Sequence, residues 1–129
     1  MAEETALTQS LENYLEAIFL LERQLDTVRI TDITEALQIS KPSVNRAINV
    51  LKKTGLLEHE HYGTVSLTEA GRAIARNIAA KHMLLKRFLI QRLKVHPEVA
   101  EKEACEMEHV VSQNTIEKLS AYLGDESVD

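Results

Sequence analysis

The hydrophobic pattern of residues 1–55 predicts three helices separated by short polar breaks. Apolar side chains recur every three or four positions, which is the period of an amphipathic helix. Pro42 fits the first turn of the third helix, where its missing N–H has no partner to lose, and Gly55 fits the left-handed position after the last turn. The predicted helices cover residues 8–24, a stretch capped by Thr31 and ending near 37, and residues 41–54.

Two strand-like runs follow, residues 56–60 and 64–68, on either side of Tyr62 and Gly63. Their lengths and the glycine between them predict a β-hairpin. From Thr68 onward the helical period returns, with a break at Pro97. It predicts helices over about residues 69–81, 82–93 and 99–123.

Helix, short turn, helix and hairpin follow one another in the order of a winged helix-turn-helix, which is a DNA-binding architecture. The predicted fold is therefore mainly α with a small β-hairpin wing: a winged helix-turn-helix domain at residues 1–70 and a helical dimerisation domain at 71–129. The second domain has an apolar stripe too wide for one buried helix face, which predicts a homodimer unless the stripe fills an internal core. The stripe consists of Met83, Leu84, Leu85, Phe88, Leu89, Ile90 and Leu93.

The net charge of −5 hides an uneven distribution of acids and bases. No acid occurs between Ala36 and Leu57, whereas residues 98–129 contain nine acids and two lysines. A local basic surface can bind phosphate in a chain that is acidic overall, so double-stranded DNA remains a suitable partner. The third helix offers hydroxyl, amide and guanidinium groups for base edges, and lysines for phosphates. The predicted DNA-binding residues are Ser40, Lys41, Pro42, Ser43, Asn45, Arg46, Asn49, Lys52 and Lys53.

Composition narrows the remaining classes of function. No run of residues has the length of a membrane span, the first residues are acidic, and one cysteine cannot form an internal disulfide. We therefore expect a cytoplasmic protein without a membrane partner. The sequence has no glycine-rich phosphate loop, His-Glu-x-x-His motif or nucleophilic triad, so neither an enzyme nor a small-molecule substrate is expected.

The one cysteine belongs to a pattern that suits a transition metal. Cys105, Glu108 and His109 are spaced i, i+3 and i+4, so a continuous helix would bring a thiolate, a carboxylate and an imidazole to one face. Sulfur and nitrogen ligands favour a divalent transition metal over magnesium or calcium. A buried apolar cysteine beside two surface residues has the same spacing, so this pattern leaves both interpretations open.

Five short motifs resemble the diphtheria toxin repressor and manganese transport regulator family. They lie at residues 10–18 (SLENYLEAI), 41–44 (KPSV), 67–71 (LTEAG), 82–85 (HMLL) and 103–109 (EACEMEH). Each motif is short, but five in register over nearly the whole chain are specific. The resemblance implies a metal-activated transcriptional repressor that binds operator DNA as a homodimer and controls genes of metal-ion homeostasis. The chain has the length of the two-domain architecture found in the manganese-regulator branch.

The resemblance also implies which residues hold the metal. The ligand set would be Glu16, His82, Cys105, Glu108 and His109. Asn13 stands where the family uses an acidic residue or a methionine, and its amide oxygen would coordinate more weakly. Glu101 stands at a position of an ancillary metal site, which the positive charge of Lys86 opposes.

The ligand types also bear on the metal. A thiolate with imidazoles and carboxylates fits Fe²⁺, which we expect as the natural effector, with Mn²⁺ as the second choice. Zn²⁺, Co²⁺ and Ni²⁺ suit the same ligands in vitro. Three other hypotheses stay open: a winged-helix regulator that answers a small organic ligand or no effector, a metal-binding protein or hydrolase without a DNA role, and a dimeric interaction module, which would leave the polar face of the third helix unexplained. DNA binding that is indifferent to metal and chelator would favour the first of these.

Overall fold

The structure, a computed structural model, describes residues 7–60 and 63–124. Its elements in chain order are α1 (Gln9–Glu22), β1 (Val28–Arg29), α2 (Ile30–Leu37), α3 (Lys41–Lys53), β2 (Leu57–His59), β3 (Thr64–Leu67), α4 (Glu69–Gln91), α5 (Pro97–Met107) and α6 (Gln113–Leu123). Two compact units divide the chain between residues 76 and 77, inside α4. No helix in the described ranges is long and apolar enough to cross a membrane.

Polar side chains fix the starts of the helices in the first unit. The hydroxyl of Ser40 accepts a hydrogen bond from the N–H of Ser43 at 3.4 Å and so caps α3. α2 begins at Ile30, before the predicted cap Thr31. The reason is a carboxylate in its first turn, because the N–H of Arg29 donates to Oδ2 of Asp32 at 2.9 Å.

The wing is a three-stranded antiparallel sheet of order β1-β3-β2, so the predicted hairpin gains one strand. In this extra strand Val28 pairs with Val65 and Arg29 with Thr64. A strand of two residues is too short for any periodicity to reveal, which is why the pattern did not predict it. Part of the predicted turn, residues 61 and 62, lies outside the described ranges.

The core of the first unit lies between α1, α3 and the sheet. Leu15 and Ile18 of α1 and Ile48 and Leu51 of α3 have no exposed surface, as their spacing predicts. Each such side chain stabilises the fold by about 1.5–3 kcal/mol. The start of α4 lies against the wing so closely that a Cβ on Gly71 would overlap the backbone of Leu56.

The helices of the second unit differ from the predicted ones in two places. α4 is one helix through His82 rather than two helices that meet there, because residues 82–85 are good helix formers and contain no breaker. The single helix predicted over residues 99–123 is in fact two, because α5 ends at Met107 and Ser112 caps α6.

The turn between α5 and α6 is tightened by short-range hydrogen bonds. The N–H of Val110 donates to the carbonyl of Met107 at 3.0 Å, an i to i−3 bond that closes the last turn of α5. Ser112 then accepts a hydrogen bond from the N–H of Thr115 at 3.2 Å and starts α6. Glu108 and His109 therefore stand at the end of a helix and in a turn, not inside a helix.

The apolar stripe predicted for dimerisation divides in the structure. Leu85 and Leu89 are buried against Ala100, Ala104 and Ile116 in the core of the second unit. Met83 and Leu93 are 66% and 55% exposed. The predicted fold class, mainly α with a winged helix-turn-helix and a helical second domain, is confirmed.

Candidate metal centre and nucleic-acid interface

The imidazole of His82 lies between two carboxylates of the second unit. Its Nδ1 is 2.8 Å from Oε1 of Glu108, and its Nε2 is 3.0 Å from Oε1 of Glu101. His82 is in the interior of α4, Glu101 is on α5, and Glu108 is the C-terminal cap of α5. One ring thus joins two helices, and each of its nitrogens has an acidic partner.

Glu108 is the only buried charged residue in the described parts of the chain, at 1% exposure. Its second oxygen, Oε2, accepts no hydrogen bond from any described group. Nε2 of His109, in the turn after α5, lies 3.3 Å from this oxygen without forming a hydrogen bond to it. Leaving a buried acceptor without a hydrogen bond costs about 1–3 kcal/mol, so a cation or a donor bound at this oxygen would stabilise the side chain.

The two carboxylates stabilise the protonated form of His82. The hydrogen bond to Glu108 contributes most, burial opposes it, and Glu101 adds to it, so that the pKa of His82 is raised to about 9. In the metal-free protein the ring is therefore an imidazolium at neutral pH. Coordination would require loss of this proton, because a metal ligand must be a neutral imidazole.

Glu101 has a second cationic partner. Nζ of Lys86 lies 2.9 Å from Oε1 of Glu101, the same oxygen that faces His82. The hydrogen bond to Lys86, ahead of that to His82, lowers the pKa of this carboxyl below its usual value. Lys86 follows His82 by one helical turn on α4, so both cations reach Glu101 from the same face.

The remaining predicted ligands lie on two other stretches. Cys105 is half-buried on α5, and Glu108 keeps helical torsion angles (φ −60°, ψ −23°), so these residues stay one turn apart although the helix ends at Met107. Glu16 and Asn13 are half-buried and one turn apart on α1, in the first unit. The structure thus brings together, within the second unit, His82, Glu101, Glu108 and His109.

The donor chemistry of this cluster fits a divalent transition metal. Two imidazoles flank one buried carboxylate, and a thiol stands one turn before that carboxylate. Nitrogen, sulfur and carboxylate oxygen together are ligands of Fe, Mn, Co, Ni or Zn rather than of calcium. The unsatisfied oxygen of Glu108 is a position at which a bound cation would be stabilised by the carboxylate.

A lysine that the sequence pattern did not single out supports the turn of His109. Nζ of Lys81 donates a hydrogen bond to the carbonyl of Val111 at 3.0 Å. Carbonyl groups that follow a helix end lack intrahelical donors, and a lysine is a suitable partner for them. The contact spans 30 positions of sequence, so no local pattern could have predicted it.

α3 presents most of the predicted DNA-binding residues to solvent. All of them are exposed except Ser43, which is half-buried, and α3 contains no acidic residue. Nη2 of Arg46 donates to Oγ of Ser43 at 3.2 Å, which holds the guanidinium along the helix surface. The opposite face of α3 is buried in the core, so the helix has the exposed polar face of a recognition helix.

A carboxylate of the first unit, which the sequence pattern also did not single out, fixes the wing. Oε2 of Glu22 accepts a hydrogen bond from the N–H of Leu67 at 2.9 Å, and Oε1 accepts one from Arg72 at 3.0 Å. Leu67 lies beyond the residues of β3 that pair with β1, so the side chain takes the place of a neighbouring strand. These partners are 45 and 50 positions away in sequence.

Comparison with known proteins identifies both parts of the chain. Residues 6–65 match the N-terminal DNA-binding domain of the iron-dependent repressors, and residues 68–129 match their metal-binding and dimerisation domain. The chain is 32% identical over 113 residues to the HTH-type transcriptional regulator MntR of Lysinibacillus sphaericus, covering 88% of this chain and 81% of that protein. It is 33% identical over 119 residues to the iron-dependent repressor IdeR of Mycobacterium bovis, covering 92% of this chain and 52% of IdeR.

A solved structure of a manganese-dependent transcriptional repressor in complex with manganese has the same fold. The TM-score is 0.81 at 30% identity, over 88% of this chain and 52% of that one. The chain thus spans about half the length of that repressor and of IdeR. With both domain models matched in order over almost all of its length, the chain belongs to the iron-dependent repressor family of DNA-binding transcriptional regulators.

Proposed function

We propose that the protein is a metal-activated transcriptional repressor whose metal ligands include His82, Glu108 and His109. The observation that carries this proposal is the buried carboxylate of Glu108, with one oxygen against His82 and an unsatisfied one against His109. A bound divalent cation would supply the compensating charge and hold these three side chains in one arrangement.

Cys105 and Glu16 complete the proposed ligand set. The thiol stands one turn before Glu108 on α5, at the spacing that suits a shared ligand face. Glu16 comes from α1 of the first unit, and the resemblance of its motif to the family supports the assignment. Asn13, one turn earlier on α1, would add a weaker amide oxygen.

The ligand types support Fe²⁺ as the natural effector and Mn²⁺ as the second choice. A thiolate with two imidazoles is softer than the oxygen-rich sites that manganese prefers. We further propose one metal per subunit, since Glu101, the residue predicted for an ancillary site, is already paired with Lys86 at 2.9 Å. Co²⁺, Ni²⁺ and Zn²⁺ should bind in vitro, because the affinity of such ligands rises from Mn²⁺ through Fe²⁺ and Co²⁺ to Ni²⁺, and zinc takes the same ligand types.

Operator DNA and a second copy of the chain are the proposed partners. The exposed face of α3 supplies Asn45, Arg46 and Asn49 for bases, and its lysines supply charge for phosphates. The second unit exposes large apolar side chains, of the kind that mark contact surfaces between proteins. They include Met83, Leu93, Val110 and Tyr122.

Coordination would raise the affinity for DNA by limiting the arrangements of the two units. Palindromic half-sites demand a fixed spacing of the two recognition helices of a dimer. Joint coordination by Glu16 of the first unit and Glu108 of the second would restrict that spacing. Linkage then requires operator DNA to tighten metal binding by the same factor.

The test is operator binding by the purified protein, titrated with Fe²⁺ under anaerobic conditions, with Mn²⁺ and with Zn²⁺, each with a chelator control. Probes come from the region upstream of the protein's own gene and from promoters of metal transporters. We expect binding that appears with metal and disappears with chelator. Cys105→Ser and His109→Ala should each weaken this metal dependence.

Binding that ignores metal and chelator would support the alternative regulator, which answers a small organic ligand or no effector. Unchanged metal dependence in both Cys105→Ser and His109→Ala would show instead that the proposed ligands are wrong. Glu103→Gln serves as a matched control, because Glu103 is exposed on the same helix as Cys105.

A further inference from the structure

We propose that Glu101 is a positioning residue for the metal centre: its carboxylate holds the proton of His82 on Nε2, so that Nδ1 is the nitrogen offered to the metal. This inference rests on the proposed function, because it assigns a role within the proposed site. It gives Glu101 a different part from that of an ancillary metal ligand.

The two nitrogens of His82 have unequal partners. Nδ1 is 2.8 Å from Glu108, whose carboxylate is buried and keeps one unsatisfied oxygen beside His109. Nε2 is 3.0 Å from Glu101, whose side chain is about half-exposed. The carboxylate that keeps an oxygen without a hydrogen bond is therefore on the Nδ1 side of the ring.

The carboxylate of Glu101 is already compensated by a lysine. Nζ of Lys86 lies 2.9 Å from Oε1, the same oxygen that lies 3.0 Å from Nε2 of His82. An ammonium group at this distance opposes the approach of a divalent cation through electrostatic repulsion. Glu101 is therefore suited to accept hydrogen bonds rather than to coordinate a metal ion.

Helix geometry explains why one oxygen reaches both cations. His82 and Lys86 are spaced i, i+4 on α4, and so project from one face of that helix. Glu101 and Cys105 have the same spacing on α5, which places the acceptor one turn from the proposed thiolate ligand. A carboxylate that accepts from the second nitrogen of a ligating histidine fixes its tautomer and raises its basicity.

The direct test is the tautomer of His82 in the Zn²⁺-loaded protein. Long-range ¹H–¹⁵N spectra of protein labelled in histidine distinguish protonated from metal-bound ring nitrogens, and His82→Gln assigns the signals. We expect Nε2 protonated and Nδ1 bound to Zn²⁺. The opposite assignment would overturn this inference while leaving the metal site in place. A wild-type protein that binds no Zn²⁺ would overturn the proposed function as well.

Variants separate positioning from ligation. Glu101→Ala should lower the Zn²⁺ affinity about 10- to 100-fold without changing the number of Zn²⁺ ions bound per subunit. Glu101→Gln keeps a carbonyl acceptor for Nε2–H and should recover part of the loss. Glu103→Gln, exposed on the same helix, is the matched control and should bind like the wild type.

The number of Zn²⁺ ions bound per subunit, measured by competition with a chromophoric chelator, is a second test. We expect one ion in both the wild type and Glu101→Ala. Two ions in the wild type and one in Glu101→Ala would show that Glu101 is itself a ligand and would overturn this inference. Lys86→Met sharpens the test, because removing the repelling ammonium should leave the tautomer of His82 unchanged and should not weaken Zn²⁺ binding, whereas Glu101→Ala should weaken it.

Discussion

The two units of the molecule differ in how fully a glutamate carboxylate is hydrogen-bonded. Glu22 of the first unit has both oxygens engaged, one by the N–H of Leu67 and one by Arg72. Glu108 of the second unit is more deeply buried, with a side-chain exposure of 0% against 20% for Glu22, and yet one of its oxygens accepts no hydrogen bond from the described residues. The carboxylate with both oxygens hydrogen-bonded stabilises the fold, and the one with an unsatisfied oxygen is the proposed metal ligand.

The same contrast separates the binding surfaces of the two units. In the first unit the groups proposed to bind DNA lie on the exposed face of α3. Each contact there should contribute a small part of the binding free energy, and salt should weaken it. In the second unit the proposed metal ligands are buried or half-buried and lie beside one another, so the loss of one should affect the others. Four predictions test this contrast, from the largest expected effect to the smallest.

Replacing Glu108 should remove metal binding. Glu108→Gln keeps the size of the side chain and removes its charge, so the affinity for Mn²⁺ or Zn²⁺ should fall at least about 100-fold and operator binding should lose its response to metal. Glu22→Gln is the matched control in the other unit and should retain the wild-type metal affinity. Titration calorimetry measures both, and an affinity within threefold of wild type for Glu108→Gln would contradict the assignment.

The metal-free protein should lose stability as the pH rises through 9. The pKa of His82 is raised from 6.5 to about 9, so protonation stabilises the fold fully below pH 6.5 and this contribution disappears above pH 9. The loss is at most about 3 kcal/mol in the free energy of unfolding. Urea denaturation with excess chelator, between pH 6 and pH 10, measures it. His82→Gln should show a flatter profile, and equal profiles for the two proteins would refute this cause.

Replacing Arg46 should weaken operator binding and leave the metal site intact. Arg46→Ala removes a guanidinium from the exposed face of α3, and we expect a loss of about 1–3 kcal/mol in binding free energy. Lys53→Ala is the comparison for a phosphate contact: it should reduce the slope of log affinity against log salt concentration by about 1. Fluorescence anisotropy with labelled operator measures both. Wild-type affinity in Arg46→Ala would exclude this residue from the interface.

Replacing Glu22 should affect stability alone. Glu22→Ala leaves the N–H of Leu67 without its acceptor, and the free energy of unfolding should fall by about 1–2 kcal/mol. Glu35→Ala, an exposed position on α2, should change it by less than about 0.5 kcal/mol. If Glu22→Ala instead abolished metal binding with little change in stability, the contrast between the two carboxylates would fail.

The helices of the first unit were predictable because their information is local. Ser40 and Pro42 mark the start of α3, and Val44, Ile48 and Leu51 follow the helical period and are buried. The strand β1 was not predicted, since two residues carry no periodicity and are held by pairing with β3. The wing tip at residues 61 and 62 lies outside the described ranges, so its prediction stays a prediction.

The sequence predicted which residues form the candidate site better than it predicted how they are arranged. The spacing of Cys105, Glu108 and His109 suggested metal ligands, but the single helix assumed for them was wrong, because α5 ends at Met107. The pairing of Glu101 with both His82 and Lys86 joins residues of two helices, and no local pattern contains it. The identity of each ligand and its coordination to a metal stay predictions.

The sequence by itself determined the helices of the first unit, the two strands of the hairpin, the polar face of α3 and the residue types available as ligands, because capping, periodicity and charge act over a few neighbouring positions. Tertiary structure decided which carboxylate has both of its oxygens hydrogen-bonded. Glu22 and Glu108 are equivalent as amino acids, and they differ only because packing brings Leu67 and Arg72 to one and leaves the other buried between two imidazoles. Whether a polar atom keeps an unmet hydrogen bond depends on partners distant in sequence, and only the folded chain fixes those partners.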